Sequence, residues 1–339
     1  MEREEPSSII IRMPNWLGDV VMATPVIEAV RNRWPRAHIC VMISKSLAPL
    51  LERDPHINEI FAFSKPKGFL RRLEDAQILE KLREGNYNLG ILLTNSFSSA
   101  WWFYRGGVQK TIGFGRRWLL NKSVALPKNY KNQHLVHSYL QLLQPLGIPF
   151  KEKAPQLFLT RQEQSLAVER IRGLGGGLVI GMNPGAAFGP AKCWPAEKFR
   201  ALTKKLLEKE KVLLLFFGEQ SASPLIDGII KGLPSRVVNL AGKTHLREFM
   251  AMVGACNLFI TNDSGPMHVA AALQVPLIAL FGSTSDVMTG PYKFGRVIHK
   301  RVSCSPCFLR ECPLDFKCMQ EIAVEDVTKI VEALNVGGI

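Results

Sequence analysis

A carboxylate follows the first predicted strand at the point where a helix is expected to start. Residues 14–19 read Pro-Asn-Trp-Leu-Gly-Asp, and the helix is predicted to open at Val20. Asp is a good N-cap residue, so helix capping alone accounts for Asp19. A carboxylate beside Gly18, which lets a substrate approach the backbone, is equally well placed as a general base. This loop by itself leaves both interpretations open.

A second loop combines small residues with a lysine. Residues 183–187 read Asn-Pro-Gly-Ala-Ala after a predicted strand, and Lys192 precedes Trp194 and a helix predicted from Ala196. Backbone N–H groups exposed by small residues and a mobile lysine charge together suit a diphosphate. The Gly-Lys-Ser/Thr ending of a Walker loop is missing. The plainer interpretation is a Gly-Pro turn followed by an exposed lysine.

The most informative loop covers residues 261–268 and reads Thr-Asn-Asp-Ser-Gly-Pro-Met-His before a helix of small residues, predicted over 269–273. Ser264 and Gly265 at a helix start would present unpaired backbone donors and a hydroxyl, which the helix dipole reinforces as an anion site. Asp263 and His268 have no third ligand nearby at a recognisable spacing. The sequence therefore predicts an anion site here and no metal site.

Other patterns limit the class of ligand. Glu219 follows a predicted strand, where a carboxylate can accept hydrogen bonds from both ribose hydroxyls of a nucleotide, although an exposed loop glutamate is the plainer interpretation. No Asp-x-Asp occurs in the chain, so the common means of holding a divalent ion on a sugar nucleotide is absent. No Gly-x-Gly-x-x-Gly leads from a strand into a helix, which disfavours a dinucleotide oxidoreductase.

Each of these loops follows a predicted strand, so they can form one site only if the carboxyl ends of those strands lie side by side. Two series of strand followed by amphipathic helix predict an α/β protein with two doubly wound, Rossmann-like parallel sheets, whose ligands bind at the carboxyl ends of the strands. A chain of 339 residues also favours two domains over one core. The linker is predicted over residues 151–160. The predicted strands are 9–13, 38–43, 58–63, 89–94, 111–114, 178–182, 212–217, 237–240, 258–261 and 277–281.

The charge distribution predicts an anionic partner. The formal net charge is +14, and residues 85–150 contain no Asp or Glu. A nucleic acid, a phospholipid headgroup or a phosphorylated small molecule would fit, whereas a solvated face without a partner is the other interpretation. The contiguous aromatic residues 101–104 match base stacking poorly, so no nucleic-acid partner is expected. The basic candidates are Lys65, Lys67, Arg71, Arg72, Arg105, Arg116 and Arg117.

No apolar run approaches the roughly 20 residues of a membrane-spanning helix, and residues 1–8 are too acidic and polar for a signal peptide. The sequence therefore predicts a soluble, cytoplasmic protein. Four cysteines form the pattern Cys304-x2-Cys307-x4-Cys312-x5-Cys318. Metal binding, disulfide formation and simple packing all remain open for them, although disulfides are rare in reducing cytosol and no metal site is predicted.

Taken together, the motifs resemble those of the ADP-heptose:lipopolysaccharide heptosyltransferases, glycosyltransferase family 9. The resemblance rests on residues 11–19, 183–186, Lys192 before Trp194, and 262–268, in the same order and over almost the whole chain. The Pro-Asn-Trp of the first loop and the Cys-Ser-Pro-Cys from Cys304 are more similar to the heptosyltransferase II branch than to heptosyltransferase I.

The resemblance implies a GT-B fold, with two Rossmann-like domains facing a central cleft. Residues 1–158 would hold the lipopolysaccharide acceptor, residues 159–322 the nucleotide sugar, and a helix within residues 323–339, over about 324–334, would pack back toward the N-terminal domain. It also implies inverting, metal-independent transfer of heptose from ADP-heptose to the first heptose of the inner core, without a cofactor, at the cytoplasmic face of the inner membrane. Heptosyltransferase I or III activity on another core acceptor, or a basic nucleic-acid-binding protein, is the alternative.

The resemblance assigns roles to individual residues. Asp19 matches the general base and Lys192 the phosphate-binding lysine, and these two are the catalytic candidates. The donor-binding candidates are Asn183, Gly185, Lys192, Glu219, Asp263, Ser264, Gly265 and His268. The acceptor-binding candidates are Asn15, Gly18, Lys65, Arg71, Arg105 and Arg116.

Overall fold

The computed structural model describes residues 5–64, 71–115, 117–128, 130–209 and 211–334, with the side chains of Arg71 and Arg72 outside that description. The chain divides into two compact units, Met1–Phe158 and Leu159–Ile339. Among the described helices, none has the length and apolar character needed to cross a membrane.

The first unit is built on a parallel sheet of six strands in the order β3-β2-β1-β4-β5-β6. Its central strand β1 is buried from Ile9 to Arg12, because helices cover both faces of a parallel sheet. The strands are β1 (Ser8–Arg12), β2 (His38–Ser44), β3 (Glu59–Phe63), β4 (Leu89–Leu92), β5 (Lys110–Phe114) and β6 (Lys122–Val124). The helices are α1 (Leu17–Arg33), α2 (Arg71–Glu84), α3 (Phe97–Arg105) and α4 (Leu135–Gln141).

The second unit repeats the architecture with a parallel sheet in the order β12-β11-β10-β7-β8-β9. Its strands are β7 (Leu178–Asn183), β8 (Val212–Phe216), β9 (Val237–Asn239), β10 (Leu258–Asn262), β11 (Leu277–Phe281) and β12 (Arg296–His299). Its helices are α5 (Arg161–Gly173), α6 (Ala196–Leu207), α7 (Ser223–Ile230), α8 (Leu246–Gly254), α9 (Gly265–Ala272), α10 (Asp286–Thr289), α11 (Lys317–Gln320) and α12 (Val324–Ala333). β10 lies between β7 and β11, with Thr261 opposite both Asn183 and Ala279.

The prediction of two doubly wound parallel sheets is confirmed. Each sheet has one strand more than predicted, β6 and β12, and both lie at sheet edges. β6 has three residues, none of them fully buried, and β12 has four, of which only Ile298 is buried. A strand that is partly exposed lacks the continuous apolar run by which the central strands are recognised.

The first helix starts earlier than predicted. α1 begins at Leu17 with Trp16 as its N-cap, so Asp19 is the third helical residue and the capping interpretation of Asp19 is wrong. An acidic side chain in the first turn still interacts favourably with the helix dipole. The carboxylate therefore lies on the first turn of α1, immediately beyond the carboxyl end of β1.

The last described helix, α12, packs against α6 and β12 of its own unit. Val327 and Val331 are buried in the core of that unit. Packing of this helix toward the N-terminal domain stays a prediction.

Candidate functional site

The carboxyl ends of β7, β10 and β11 gather the polar residues of the second unit. These three strands are neighbours in the order β11-β10-β7, so the loops that follow them lie side by side. Open α/β sheets bind ligands at this edge. Asn183 ends β7, Asp263 directly follows β10, and Thr284 lies in the loop after β11.

Lys192 and Asp263 form an ion pair at this edge. Nζ of Lys192 lies 2.5 Å from Oδ2 of Asp263, and the side chains are only 13% and 4% exposed. The Thr284 hydroxyl donates to the same Oδ2 at 2.5 Å. Lys192 Nζ also lies 4.8 Å from the centroid of the Phe188 ring, within the range of a cation–π contact. The lysine side chain is therefore held at the sheet edge by Asp263 and by the Phe188 ring.

Asn183 acts as a hydrogen-bond hub beside this pair. Its Nδ2 donates to the Gly185 carbonyl at 2.9 Å and to the Ser264 hydroxyl at 3.1 Å, and lies 3.4 Å from Oγ1 of Thr261. The Ser264 and Thr261 hydroxyls are 3.0 Å apart. The Ser264 hydroxyl, which the sequence led us to expect free for an anion, is thus engaged within the protein.

Ser264 is the N-cap of α9, which begins at Gly265, four residues before the predicted start. Pro266 has no backbone N–H, and the Met267 N–H donates to the Ser264 carbonyl at 3.2 Å. Among the first three residues of α9, Gly265 therefore carries the backbone N–H that can bind an anion. His268 is the fourth residue of α9 and is 5% exposed. Gly185 faces open space, since a methyl group added there would meet only Ala222, at 3.8 Å.

The buried Asn262, for which no role of its own was predicted, links the end of β10 to the loop after β7. Its Nδ2 donates to the Pro184 carbonyl at 2.7 Å, and its Oδ1 accepts from the Trp194 backbone N–H at 3.0 Å. Because both bonds cross from β10 to the loop after β7, Asn262 fixes the segment that carries Lys192. Glu219, by contrast, is an exposed residue after β8, at the start of a short 3-10 turn.

In the first unit, Asp19 lies close to α4. Burial, and secondarily the charge of Asp19, raises the pKa of the Tyr139 phenol well above its ordinary value. Tyr139 is 8% exposed and α4 packs against α1. The phenol therefore stays protonated beside the carboxylate. Tyr139 belongs to none of the motifs found in the sequence.

The other acceptor candidates do not all lie near Asp19. Asn15 is exposed and its Oδ1 accepts from Arg12 Nη2 at 2.6 Å, while Gly18 is the second residue of α1. Arg105 is the last residue of α3, a helix that runs back from the carboxyl end of β4, so it lies at the edge opposite Asp19. Arg71 starts α2, but the side chains of Arg71 and Arg72 lie outside the description. Lys65, Lys67 and Arg116 lie outside the described residues altogether.

The four clustered cysteines are free thiols. Cys304 and Cys307 are exposed, Cys312 is partly exposed and Cys318 is buried. Burial, and then the three other thiols, raise the pKa of Cys318. Across the parts of the chain that the structure describes, no group of three or more His, Cys, Asp or Glu side chains is arranged to hold a metal ion.

Comparison with known proteins gives the family. The family model described as "Glycosyltransferase family 9 (heptosyltransferase)" matches residues 76–317. This chain belongs to glycosyltransferase family 9. It is therefore a glycosyltransferase, and the nucleic-acid-binding alternative is set aside.

Individual relatives of this family 9 chain agree. It is 30% identical to a lipooligosaccharide heptosyltransferase 2 of Campylobacter jejuni, over 94% of this chain and 95% of that protein. It is 32% identical to lipopolysaccharide heptosyltransferase 2 of Escherichia coli, over 84% and 85% of the two chains. The solved E. coli ADP-heptose LPS heptosyltransferase II is similar in structure, with a TM-score of 0.82, 30% identity and coverage of 96% and 98%. The predicted GT-B fold is confirmed.

Proposed function

We propose that this family 9 chain transfers a heptose from ADP-heptose to the first heptose of the lipopolysaccharide inner core. The observation that carries the proposal is the likeness to proteins named heptosyltransferase 2 over 94% of the chain. The similar E. coli structure is that of an ADP-heptose LPS heptosyltransferase II, which supports the same donor and the same class of acceptor. The polar residues at the carboxyl edges of both sheets supply groups that such a reaction needs.

The donor diphosphate is bound in the second unit. Lys192 supplies the positive charge, and the Gly265 backbone N–H with the N-terminal dipole of α9 supplies fixed dipoles. Gly185 leaves room for the ligand to approach the backbone, and the Asn183 amide holds the Gly185 carbonyl and the Ser264 hydroxyl in place. Asp263 and His268 border the same loop, and Glu219 is the candidate for the nucleotide ribose.

Asp19 is the general base. Its carboxylate takes the proton from an acceptor heptose hydroxyl as that oxygen attacks the anomeric carbon of the donor. The attack comes from the face opposite the ADP, so the anomeric configuration inverts. The new glycosidic bond forms as the bond to the diphosphate oxygen breaks, and ADP leaves with the electron pair.

Charge stabilisation favours the departure of ADP. Positive charge grows on the sugar ring and negative charge on the diphosphate as the bond breaks. Lys192, already held in place by Asp263, and the α9 backbone face the growing negative charge without having to reorganise. No divalent ion enters this scheme, because the lysine and the backbone dipoles neutralise the diphosphate.

The acceptor is bound by the first unit. Asn15 precedes α1 and Gly18 is the second residue of that helix, next to Asp19. Residues 85–150 carry basic side chains without Asp or Glu. Phosphates and acidic sugars of the inner core match this charge. We place the enzyme at the cytoplasmic face of the inner membrane, in peripheral contact with it, where such an acceptor is anchored by its lipid.

The test is transfer from ADP-heptose to two purified acceptors, one bearing Kdo alone and one bearing Kdo and a first heptose. Each reaction is run with and without EDTA, and the products are read by mass. Addition of one heptose only to the heptose-bearing acceptor is expected. Addition to the Kdo-only acceptor would assign heptosyltransferase I activity, and addition only to a longer core acceptor would assign heptosyltransferase III. Loss of transfer on adding EDTA would contradict the metal-independent mechanism.

A further inference from the structure

The loop between β11 and α10 places a hydroxyl against the Lys192–Asp263 ion pair. Thr284 is 6% exposed, and its Oγ1 donates to Oδ2 of Asp263 at 2.5 Å. Three adjacent strands thus contribute one residue each, Lys192 after β7, Asp263 after β10 and Thr284 after β11. Neither the proposed mechanism nor any of the family motifs assigns Thr284 a role.

The geometry of the carboxylate explains why a second donor matters. Lys192 and Thr284 both donate to Oδ2, each at 2.5 Å. A lysine ammonium sits on a flexible four-carbon stem, and the carboxyl group of an aspartate rotates within a broad well. An ion pair alone therefore fixes neither partner well. A hydroxyl on a rigid loop fixes the oxygen, and the oxygen then fixes the ammonium.

The Thr284 loop is itself held on both sides. The Ser305 hydroxyl donates to the Gly282 carbonyl at 2.5 Å, and the Phe308 backbone N–H donates to the Ser283 carbonyl at 2.7 Å. A side chain at Gly282 would collide with Cys318 and Met319 of α11. The loop is thus fixed by two hydrogen bonds to residues 305–308 and by packing against α11, so the Thr284 hydroxyl is held in place.

We infer that Thr284 is a positioning residue, which holds Asp263 Oδ2 so that Lys192 Nζ stands where the leaving diphosphate develops its charge. The inference rests on the proposed role of Lys192. In the transition state the ammonium must be in place beforehand, because preorganised charge stabilises the leaving group without a cost of reorganisation. Losing the hydroxyl should therefore reduce turnover more than it reduces binding of the ground-state donor.

The adjacent residue offers a matched control. The Ser283 side chain is 1% exposed and its hydroxyl has no hydrogen-bond partner among the described residues. Ser283→Ala removes a buried hydroxyl from the same loop without touching the ion pair. Thr284→Val keeps the shape but removes the donor, Thr284→Ala removes the donor without risk of a clash, and Thr284→Ser restores the hydroxyl.

The experiment measures kcat and KM for ADP-heptose, ADP affinity by calorimetry, and the melting temperature of the full-length variants. Thr284→Val and Thr284→Ala are expected to lower kcat at least about tenfold, as for loss of a hydrogen bond to a charged group, with a smaller change in KM. Thr284→Ser should recover most of the loss, and Ser283→Ala should match the unmodified protein. If Thr284 had only a structural role, its variants would melt at a lower temperature, but kcat would not fall more than KM changes.

A double-mutant cycle separates this inference from the proposed function. In a Lys192→Ala background, Thr284→Val is expected to have no further effect on kcat, because its action passes through the lysine. Full activity of Lys192→Ala by itself would contradict the proposed role of the lysine. If Lys192→Ala loses most of its activity, two results would overturn the inference about Thr284 alone. One is full activity of Thr284→Val and Thr284→Ala, and the other is independent effects of the two changes in the double variant.

Discussion

The guanidinium of Arg12 donates from Nη2 to Oδ1 of Asn15 at 2.6 Å, across the turn that joins β1 to α1. Arg12 is 2% exposed and its guanidinium carbon lies 4.6 Å from the centroid of the Phe63 ring. Burial lowers the pKa of Arg12 to about 9, so it remains protonated at neutral pH. No described carboxylate lies within ion-pair distance of it. A buried cation without a counter-charge among the described residues is expected to destabilise the fold, which points to a role in shaping this turn.

Replacing that cation should separate stability from acceptor binding. Arg12→Met fills a similar volume without the charge, and it removes the desolvation cost of the buried guanidinium. We expect an unchanged or higher melting temperature, a several-fold higher KM for the acceptor because Asn15 loses its anchor, and unchanged ADP affinity. A lower melting temperature with normal acceptor KM would show that Arg12 serves the core and not the turn.

The Asn183 hub should be sensitive to loss of its donor. Asn183→Asp replaces Nδ2 by an oxygen that cannot donate to the Gly185 carbonyl or the Ser264 hydroxyl, and it adds negative charge beside the proposed diphosphate site. We expect the melting temperature to fall by several degrees and ADP affinity to fall at least about tenfold.

Asn239→Asp is the control for that variant. Asn239 ends β9, two strands away from β7, and its Nδ2 donates to Oδ1 of Asp227 at 2.8 Å. This change should also lower the melting temperature while leaving the ADP affinity of the folded protein close to normal. Equal losses of ADP affinity in the two variants would argue that Asn183 acts only through general stability.

An ion pair between α5 and α8 predicts the response to acid. Arg247 donates from Nε and Nη2 to the two carboxylate oxygens of Glu163, at 2.8 and 2.7 Å. This bonding lowers the pKa of Glu163 to about 2, from 4.5. Because the folded pKa is the lower one, the stabilisation is fully present above the unfolded pKa and is lost as the pH falls from 4.5 toward 2.

Glu163→Gln should therefore melt at a lower temperature than the unmodified protein at neutral pH, and the two curves should converge as the pH approaches 2. Thermal unfolding measured at several pH values checks this. Glu169→Gln changes an exposed carboxylate of the same helix that takes part in none of the described ion pairs, and it should shift the melting temperature little at any pH. A constant difference between Glu163→Gln and the unmodified protein across the acid range would contradict the assignment.

The sequence was sufficient for the architecture and for several site loops, because buried parallel strands and the small-residue turns after them have strong local patterns. It could not supply the contact between Lys192 and Asp263, since that contact depends on β7 and β10 being neighbours in the sheet. Thr284 belongs to no motif and becomes visible only through its bond to Asp263. Asp19 was misjudged as a possible cap because the helix starts at Leu17, and nothing local distinguishes that start from one at Val20.

We propose that Asp19 of the first unit acts as the base and that the second unit binds the donor. The most direct measurement is made on Asp19→Asn, comparing turnover with acceptor and ADP-heptose against ADP affinity of the same protein. We predict that turnover falls at least about 100-fold, as for loss of a general base, while ADP affinity stays near normal. Turnover close to that of the unmodified protein would remove Asp19 from the mechanism, and a matching loss of ADP affinity would place Asp19 in the donor site instead.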